Sequence, residues 1–263
     1  MWSATKGFIA ILTGIAVDKN LISIEDKISD FFENAPSNKK EITMENLLTM
    51  KSGINYRNEG YNGDDGKLFR EIPSNSIDFV LGLNMHASPG TTFRYKNSDP
   101  HLISGIIQEK TGITTRDWAK EVLFNKIEIT RLEWRTYKDG VTFGGFGILT
   151  TPREMGKIGQ LVANGGIWNG EQIVSKNWID EMILAKVSAE EVRIFGLAFG
   201  YQWWVDAERD VFFTMGHGGQ FIIVNKDKNL TIVITSEQHP AFEFGLLPND
   251  VISIYDRISN ITN

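Results

Sequence analysis

The sequence predicts an α+β protein in which helices and strands occupy different stretches of the chain instead of alternating. Up to Gly166 the segments with clear signals are helical, with start and stop residues bracketing apolar side chains at helical spacing. From Ile194 onward the pattern changes to β-branched and aromatic segments separated by turn residues, and "VNKDKNL" is a hairpin connection that makes those strands antiparallel. With 263 residues, 41% hydrophobic and 23% charged, the chain is long enough for one sizeable core or for two lobes around a cleft.

The first element covers residues 3–17. Phe8, Ile9, Ile11, Leu12, Ile15 and Ala16 surround nearly every side of a helix, the pattern of one enclosed in a domain, and Asp18, Lys19 and Asn20 end it. "TMENLLTMKSG" reads as a short helix capped by Thr43 and stopped at Gly53. The polar, glycine-rich stretch from Asn55 to Lys67 reads as a long surface loop, of the kind that often walls a cleft. "SDPHLISGIIQEKTG" carries a cap at Ser98, Pro100 in the first turn, Leu102, Ile103, Ile106 and Ile107 as its apolar face, and Gly112 as its stop. "TPREMGKIGQLVANGG" repeats that grammar, with Thr151 and Glu154 as a capping box, Pro152 in the first helical position and Gly165-Gly166 closing it. The strand segments are "FGLAFGYQWWVD", "DVFFTMGHGG", "QFIIVNKD" and "LTIVITSE". "PNDVISIYDRISNI" is a final helix with Val251, Ile252, Tyr255 and Ile258 on one side. There is no repeat, low-complexity segment or linker.

Composition narrows the function. A net charge of -6 lacks the basic surplus that nucleic acid or an anionic membrane would require, so a small molecule or peptide is the expected partner. Without cysteine there is no disulfide framework, thiolate metal site or cysteine nucleophile, although this leaves the compartment open. The longest apolar run, "GFIAILTGIAV", stops at Asp18, short of the roughly 18 to 20 residues of a membrane span. The expectation is a soluble chain, cytoplasmic as written and exported if a longer native N-terminus carries a signal.

Three motifs carry candidate chemistry. In "MWSATKGFIA", Ser3 and Lys6 lie three apart at the mouth of an apolar helix, where a lysine is partly buried, its pKa falls, and the neutral amine can take a proton from a hydroxyl. The first-turn position adds backbone N–H groups able to bind an oxyanion. The competing reading of the same letters is a signal peptide, with Lys6 before the apolar run and Gly14-Ile15-Ala16 as a cleavage step. A second S-x-x-K, Ser37 and Lys40, lies in a polar loop and reads as surface.

Y-x-N also occurs twice, at Tyr56 and Asn58 and at Tyr95 and Asn97. Only the second directly precedes a firm helix, where a phenol can relay a proton and a carboxamide can bind a substrate carbonyl. Taken alone it is equally a packed tyrosine followed by a helix cap. "GHGGQF" sets His217 and two glycines between strand segments, either as an ordinary turn or as a place where a ligand approaches the backbone.

Together and in this order, "SATK", "YKN" and "HGG" resemble the three signature elements of the serine β-lactamase and penicillin-binding protein superfamily. "LLTMKSGINY", "PGTTFRYKN", "GGFGILTTPREMGKIGQLVANGGIWNGEQIV" and "GYQWWV" are similar to its class C β-lactamase-like branch, which includes esterases, D-aminopeptidases and 6-aminohexanoate-dimer hydrolases. The resemblance runs from Ser3 to about Glu237. It implies an antiparallel sheet flanked by helices with an all-helical lobe opposite and the active site between them. The chain would then be a single domain over 1–263, with a mostly helical lobe at 18–190 and a sheet lobe made by 194–263 together with helix 3–17.

By this matching Ser3 is the acylated nucleophile, Lys6 its base and Tyr95 the proton-relaying tyrosine. Asn97 is the substrate-binding amide, and His217, Gly218 and Gly219 are the strand element. The N–H of Gln220 pairs with that of Ser3 as an oxyanion hole. The implied enzyme needs no metal and no cofactor. It is a serine hydrolase cleaving ester or amide bonds of small molecules or peptides.

Two departures shape the remaining expectations. Family members usually carry a helix and strands before the serine, whereas only Met1 and Trp2 precede it here. The expected architecture therefore lacks those elements, "LTIVITSE" becomes a sheet edge open to homo-oligomerisation, and a weak or silent penicillin-binding-like homologue or fragment is the rival reading. The third element is His-Gly-Gly where dedicated β-lactamases and transpeptidases have Lys-Thr-Gly. Histidine is ordinarily mostly neutral at pH 7 and offers no fixed charge to a β-lactam carboxylate, which favours an ester or amide hydrolase over a true β-lactamase or D,D-peptidase.

Overall fold

A helix that is apolar on every side can satisfy its packing only by being enclosed. The computed structural model describes residues 1–58, 62–70, 75–236 and 248–261. In it a 3-10 turn over Trp2–Thr5 runs into helix α1 (Lys6–Asp18), whose residues from Lys6 to Ala16 are all buried. The segment that a signal-peptide reading would discard thus forms part of the core.

Short helices α2 (Met44–Leu48), α3 (Asp64–Arg70) and α4 (Ser76–Gly82) follow, then α5 (Ser98–Thr111) and α6 (Thr115–Ala119), the last continued by a π-helical turn over Lys120–Phe124. A small ladder of β1 (Leu132–Trp134) with β2 (Ile148–Thr150) leads into α7 (Pro152–Ala163). Next come the hairpin β3 (Ile167–Trp168) and β4 (Glu171–Gln172), and helices α8 (Lys176–Ile183) and α9 (Ala189–Val192). Strands β5 (Ala198–Phe199), β6 (Trp204–Asp206), β7 (Val211–Gly216), β8 (Gln220–Asn225) and β9 (Leu230–Ile234) form one antiparallel sheet in sequential order, and α10 (Pro248–Ile261) closes the chain. The protein is α+β, with helices in the middle of the chain and the sheet towards its end.

The sheet is covered on both faces, so its inner strand β8 is apolar without alternation. On β8, Phe221 and Ile223 join a cluster with Phe213, Val251 and Tyr255, while Ile222 and Val224 join the larger cluster containing α1 and α7. Each of these four side chains contributes roughly 1.5 to 3 kcal/mol by leaving water. Among the described residues β9 is hydrogen-bonded on one side only, to β8.

Several boundaries differ from the sequence reading, each for a local reason. Ser3 lies in the 3-10 turn, and the α-helix begins at Lys6 instead of at residue 3. Helix α2 ends at Leu48, not Gly53, because Thr49 folds its hydroxyl back onto the Glu45 carbonyl (2.7 Å) and Met50 takes a left-handed conformation (φ 59°). The expected loop from Asn55 to Lys67 becomes helical at Asp64, with Asp64 and Asp65 in the first turn of α3. The cap of α5 is Asn97, one residue before Ser98. Only half of the capping box on α7 forms: Thr151 accepts the Glu154 N–H (3.4 Å), while the Glu154 carboxylate pairs with Lys157 (2.8 Å).

Helix α1 approaches the sheet at Gly7. A Cβ there would lie 2.3 Å from the Thr214 methyl and 3.1 Å from the Trp203 indole nitrogen, both buried. Gly7→Ala is therefore expected to destabilise the fold by about 1 to 3 kcal/mol, the usual cost of overpacking. Denaturant unfolding checks this, and a midpoint equal to that of the wild type would show that Thr214 yields freely.

Candidate active site

Lys6 is 1% exposed, which is unusual for a lysine, and its surroundings explain how it is tolerated. Its amine lies 2.9 Å from Ser3 Oγ, 2.6 Å from Asn97 Oδ1 and 2.8 Å from the Gly145 carbonyl, so all three donors of an ammonium find acceptors. Burial pulls its pKa down to about 7, against the opposing charge of Asp65. A large fraction of the amine is then neutral at pH 7. A neutral amine has two N–H groups and one lone pair. Since the Gly145 carbonyl and Asn97 Oδ1 can only accept, the lone pair is left facing the Ser3 hydroxyl.

The Y-K-N segment alternates its side chains. Tyr95 and Asn97 face Lys6, while Lys96 turns into the interior and meets Asp99 at 3.4 Å in a fully buried pair anchored further by Ser52 (2.8 Å from Asp99). The Tyr95 ring stands 4.9 Å from the Lys6 amine and packs on Trp204 and Phe199 at centroid distances of 5.4 and 6.2 Å. Burial raises the Tyr95 phenol to about 12, with a hydrogen bond to Ser3 acting in the other direction. Tyr95 is therefore a neutral phenol at pH 7.

The first Y-x-N, which the sequence reading set aside, supports the second. Asn58 accepts the Asn97 N–H (2.9 Å) and donates to the Tyr95 carbonyl (3.1 Å), clamping the backbone on both sides of Lys96. The Tyr56 hydroxyl donates to Asp65 (2.6 Å), and the Asn97 amide nitrogen donates to both Asp65 oxygens (3.1 and 2.9 Å). Asp65 had no sequence signal, and Gly145 had only its place at the head of the "GGFGILTTPREM" segment, with no role attached. Asn58 had one in the repeated tripeptide, obscured because its neighbourhood reads as plain loop. The other S-x-x-K pair, Ser37 and Lys40, is exposed on the surface.

The third motif takes the turn reading, and the strand placement that the resemblance implies is corrected. His217, Gly218 and Gly219 are not on a strand; they form the tight turn joining β7 to β8, with Gly218 and Gly219 at φ 81° and 84°, a backbone region suited to glycine. Gln220 opens β8 opposite Gly216, and Gly216 abuts the Met1 carbonyl, so this end of the hairpin lies against the Ser3 turn. The Gln220 side chain points elsewhere, donating to the Gly218 and Ser236 carbonyls (3.0 and 2.9 Å). Exposed His217 meets the Trp2 ring edge to face at 5.7 Å.

Ser3, Tyr95 and His217 line one pocket of about 260 Å³, whose further walls include Phe195, Trp204 and Phe221. Lys6 and Asn97 lie behind Ser3. The sequence-predicted side chains of the first two motifs are thus brought together with His217, and only Gln220 directs its side chain away from them.

A sequential antiparallel sheet with helices on both faces, and a serine and a buried lysine in one turn where they meet, defines a class of proteins. The chain belongs to the Beta-lactamase family, whose model matches residues 1–253. A curated relative, the 6-aminohexanoate-dimer hydrolase of Paenarthrobacter ureafaciens, is 23% identical over 225 residues, covering 78% of this chain and 57% of that protein. The chain therefore spans little more than half the length of that relative. Among solved structures, a Bacillus anthracis chain provisionally assigned as a 6-aminohexanoate-dimer hydrolase superposes with a TM-score of 0.81 at 22% identity, covering all of this chain and 71% of the other. A family VIII carboxylesterase superposes with a TM-score of 0.77 at 18% identity, covering 97% and 81%. No helix among the described residues is long and apolar enough to cross a membrane.

The clamp on the Y-K-N backbone can be tested by itself. Asn58→Ala removes two hydrogen bonds at an exposed position and is expected to cost about 1 kcal/mol in a denaturant melt. An unchanged melt would show that water replaces both contacts.

Proposed function

We propose that this chain is a hydrolase that works through an acyl-enzyme on Ser3, cleaving ester or amide bonds of small molecules or peptides without a metal. The observation that carries the reading is the Lys6 amine, 2.9 Å from Ser3 Oγ with acceptors at its two other contacts. Lys6 takes the Ser3 proton as Oγ attacks the substrate carbonyl, and the backbone N–H groups of Ser3 and Gln220 receive the oxyanion. Tyr95, a phenol at neutral pH, relays the proton to the departing alkoxide or amine, and Asn97 holds the substrate amide or ester. Water then takes the place of the leaving group, loses its proton to Lys6 and releases the acid. The apolar, aromatic pocket around Ser3 and the absence of a lysine at position 217 favour uncharged acyl groups over the carboxylate-bearing β-lactams. The names of the relatives support a hydrolase acting on amides or esters.

Peptide mapping after fluorophosphonate treatment is expected to place the label on Ser3; a label on Ser37, or none on folded protein, would remove the assignment. Lys6→Ala and Tyr95→Phe are each expected to lower turnover of a nitrophenyl ester by roughly 100- to 10,000-fold with the fold intact. Because the base must be neutral, the wild-type acylation rate is expected to rise with pH through about 7 and then level off. A flat profile from pH 5 to 9 would count against Lys6.

Specificity has its own test. Nitrophenyl esters are expected to turn over faster than penicillins, with His217→Lys shifting the ratio towards penicillins. A wild type faster on penicillin would instead assign the protein to the β-lactamases proper.

A further inference from the structure

We propose that Asp65 is a positioning residue for the reaction: by accepting both hydrogen bonds of the Asn97 amide nitrogen, it forces the Asn97 carbonyl oxygen onto Lys6 and thereby aims the amine lone pair at Ser3. This rests on the reading of Lys6 as base.

The geometry leaves little choice. A carboxamide can rotate by half a turn with no change in shape, exchanging an acceptor for a donor. Were Asn97 turned round, its NH2 group would face Lys6 and offer the lone pair a partner other than Ser3. Asp65 opposes that state because its two oxygens are acceptors only, and both already lie within 3.1 Å of Asn97 Nδ2. Asp65 is held in turn by the Tyr56 hydroxyl at 2.6 Å, and both side chains are buried. Three parts of the chain therefore act in series, Tyr56 on Asp65, Asp65 on Asn97, and Asn97 on Lys6.

Asp65 also supplies the negative charge felt by Lys6. The other ionisable groups around the pair are Asp64, which accepts from Lys67 (3.0 Å) and from the Arg57 N–H (2.9 Å), and the phenols Tyr56, Tyr95 and Tyr137. All three phenols are raised above the ordinary tyrosine value by burial and stay neutral. Burial also raises the Asp65 carboxyl, against the hydrogen bonds from Tyr56 and Asn97 and the charge of Lys6, and the Asp65 charge in turn opposes the burial that lowers Lys6.

Asp65→Asn keeps the shape and removes both effects. With an NH2 group on residue 65 able to confront that of Asn97, the Asn97 amide is no longer forced into one orientation, and kcat for a nitrophenyl ester is expected to fall on the order of 10- to 100-fold. KM is free to move as well, because Asn97 also holds the substrate, so the deciding readout is the charge state of Lys6. Lost negative charge disfavours the ammonium, so the Lys6 midpoint, read by NMR titration of its side-chain signals in the whole chain, is expected to move to lower pH, and the acid limb of kcat with it.

An unchanged kcat, or a lower kcat with the Lys6 midpoint fixed, would overturn the proposal. If Asp65→Asn does not fold, Tyr56→Phe serves instead; it keeps the charge and loosens the carboxylate, with a several-fold fall in kcat expected and an unchanged rate overturning the proposal. The NMR midpoint is read without turnover. Failure of the base reading, seen as activity surviving Lys6→Ala, is therefore distinguishable from failure of the Asp65 assignment.

Discussion

Much of this structure is arranged around one uncomfortable object, a lysine amine with almost no access to water. Taking an ammonium out of water costs several kcal/mol unless its donors are satisfied, and Lys6 meets that demand with one acceptor from its own turn, one from the loop before α5 and one from the Gly145 backbone. Those three acceptors are separated by up to 142 residues in sequence, so they can converge only if α1, α5 and the segment before β2 are packed correctly. The buried amine is thus also a constraint on the fold.

The overall architecture was largely legible from sequence. Apolar spacing located α1, α5, α7 and α10, and the β-branched run located β7 to β9 with their antiparallel sense. These signals are reliable because they reflect burial, which a periodic sequence cannot hide. Helix ends were less legible because each is decided by a single side chain with more than one possible partner. Glu154 prefers Lys157 to the cap of its own helix. Asn97 does the same on a larger scale, for it occupies the cap position of α5 yet makes no side-chain cap bond and serves Lys6 and Asp65 instead.

At the site, what the sequence showed was residue type and order, and what it concealed was support. Ser3 and Lys6 are recognisable because three positions in one turn bring two side chains together by local geometry alone. Asp65 is not recognisable, since its partners Tyr56 and Asn97 lie 9 and 32 residues away and "NGDDGK" looks like any acidic loop. The repeated tripeptide shows how such support can be misread. Tyr56 and Asn58 resembled a spare copy of a functional motif, and in the folded chain they are the scaffold that steadies the other copy.

The hairpin carrying His217 has one more consequence. Its three turn residues sit beyond the last paired rung, Gly216 with Gln220, so no ladder hydrogen bond of the sheet depends on which side chain occupies position 217. That side chain nevertheless forms part of the rim above Ser3. The two kinds of position are held differently: the Lys6 amine and its acceptors are locked into the interior, while position 217 is exposed and touches the ring of Trp2. On this scaffold the side chain at the tip of one hairpin can therefore change the rim of the pocket with the sheet ladder and the core that holds the lysine left intact.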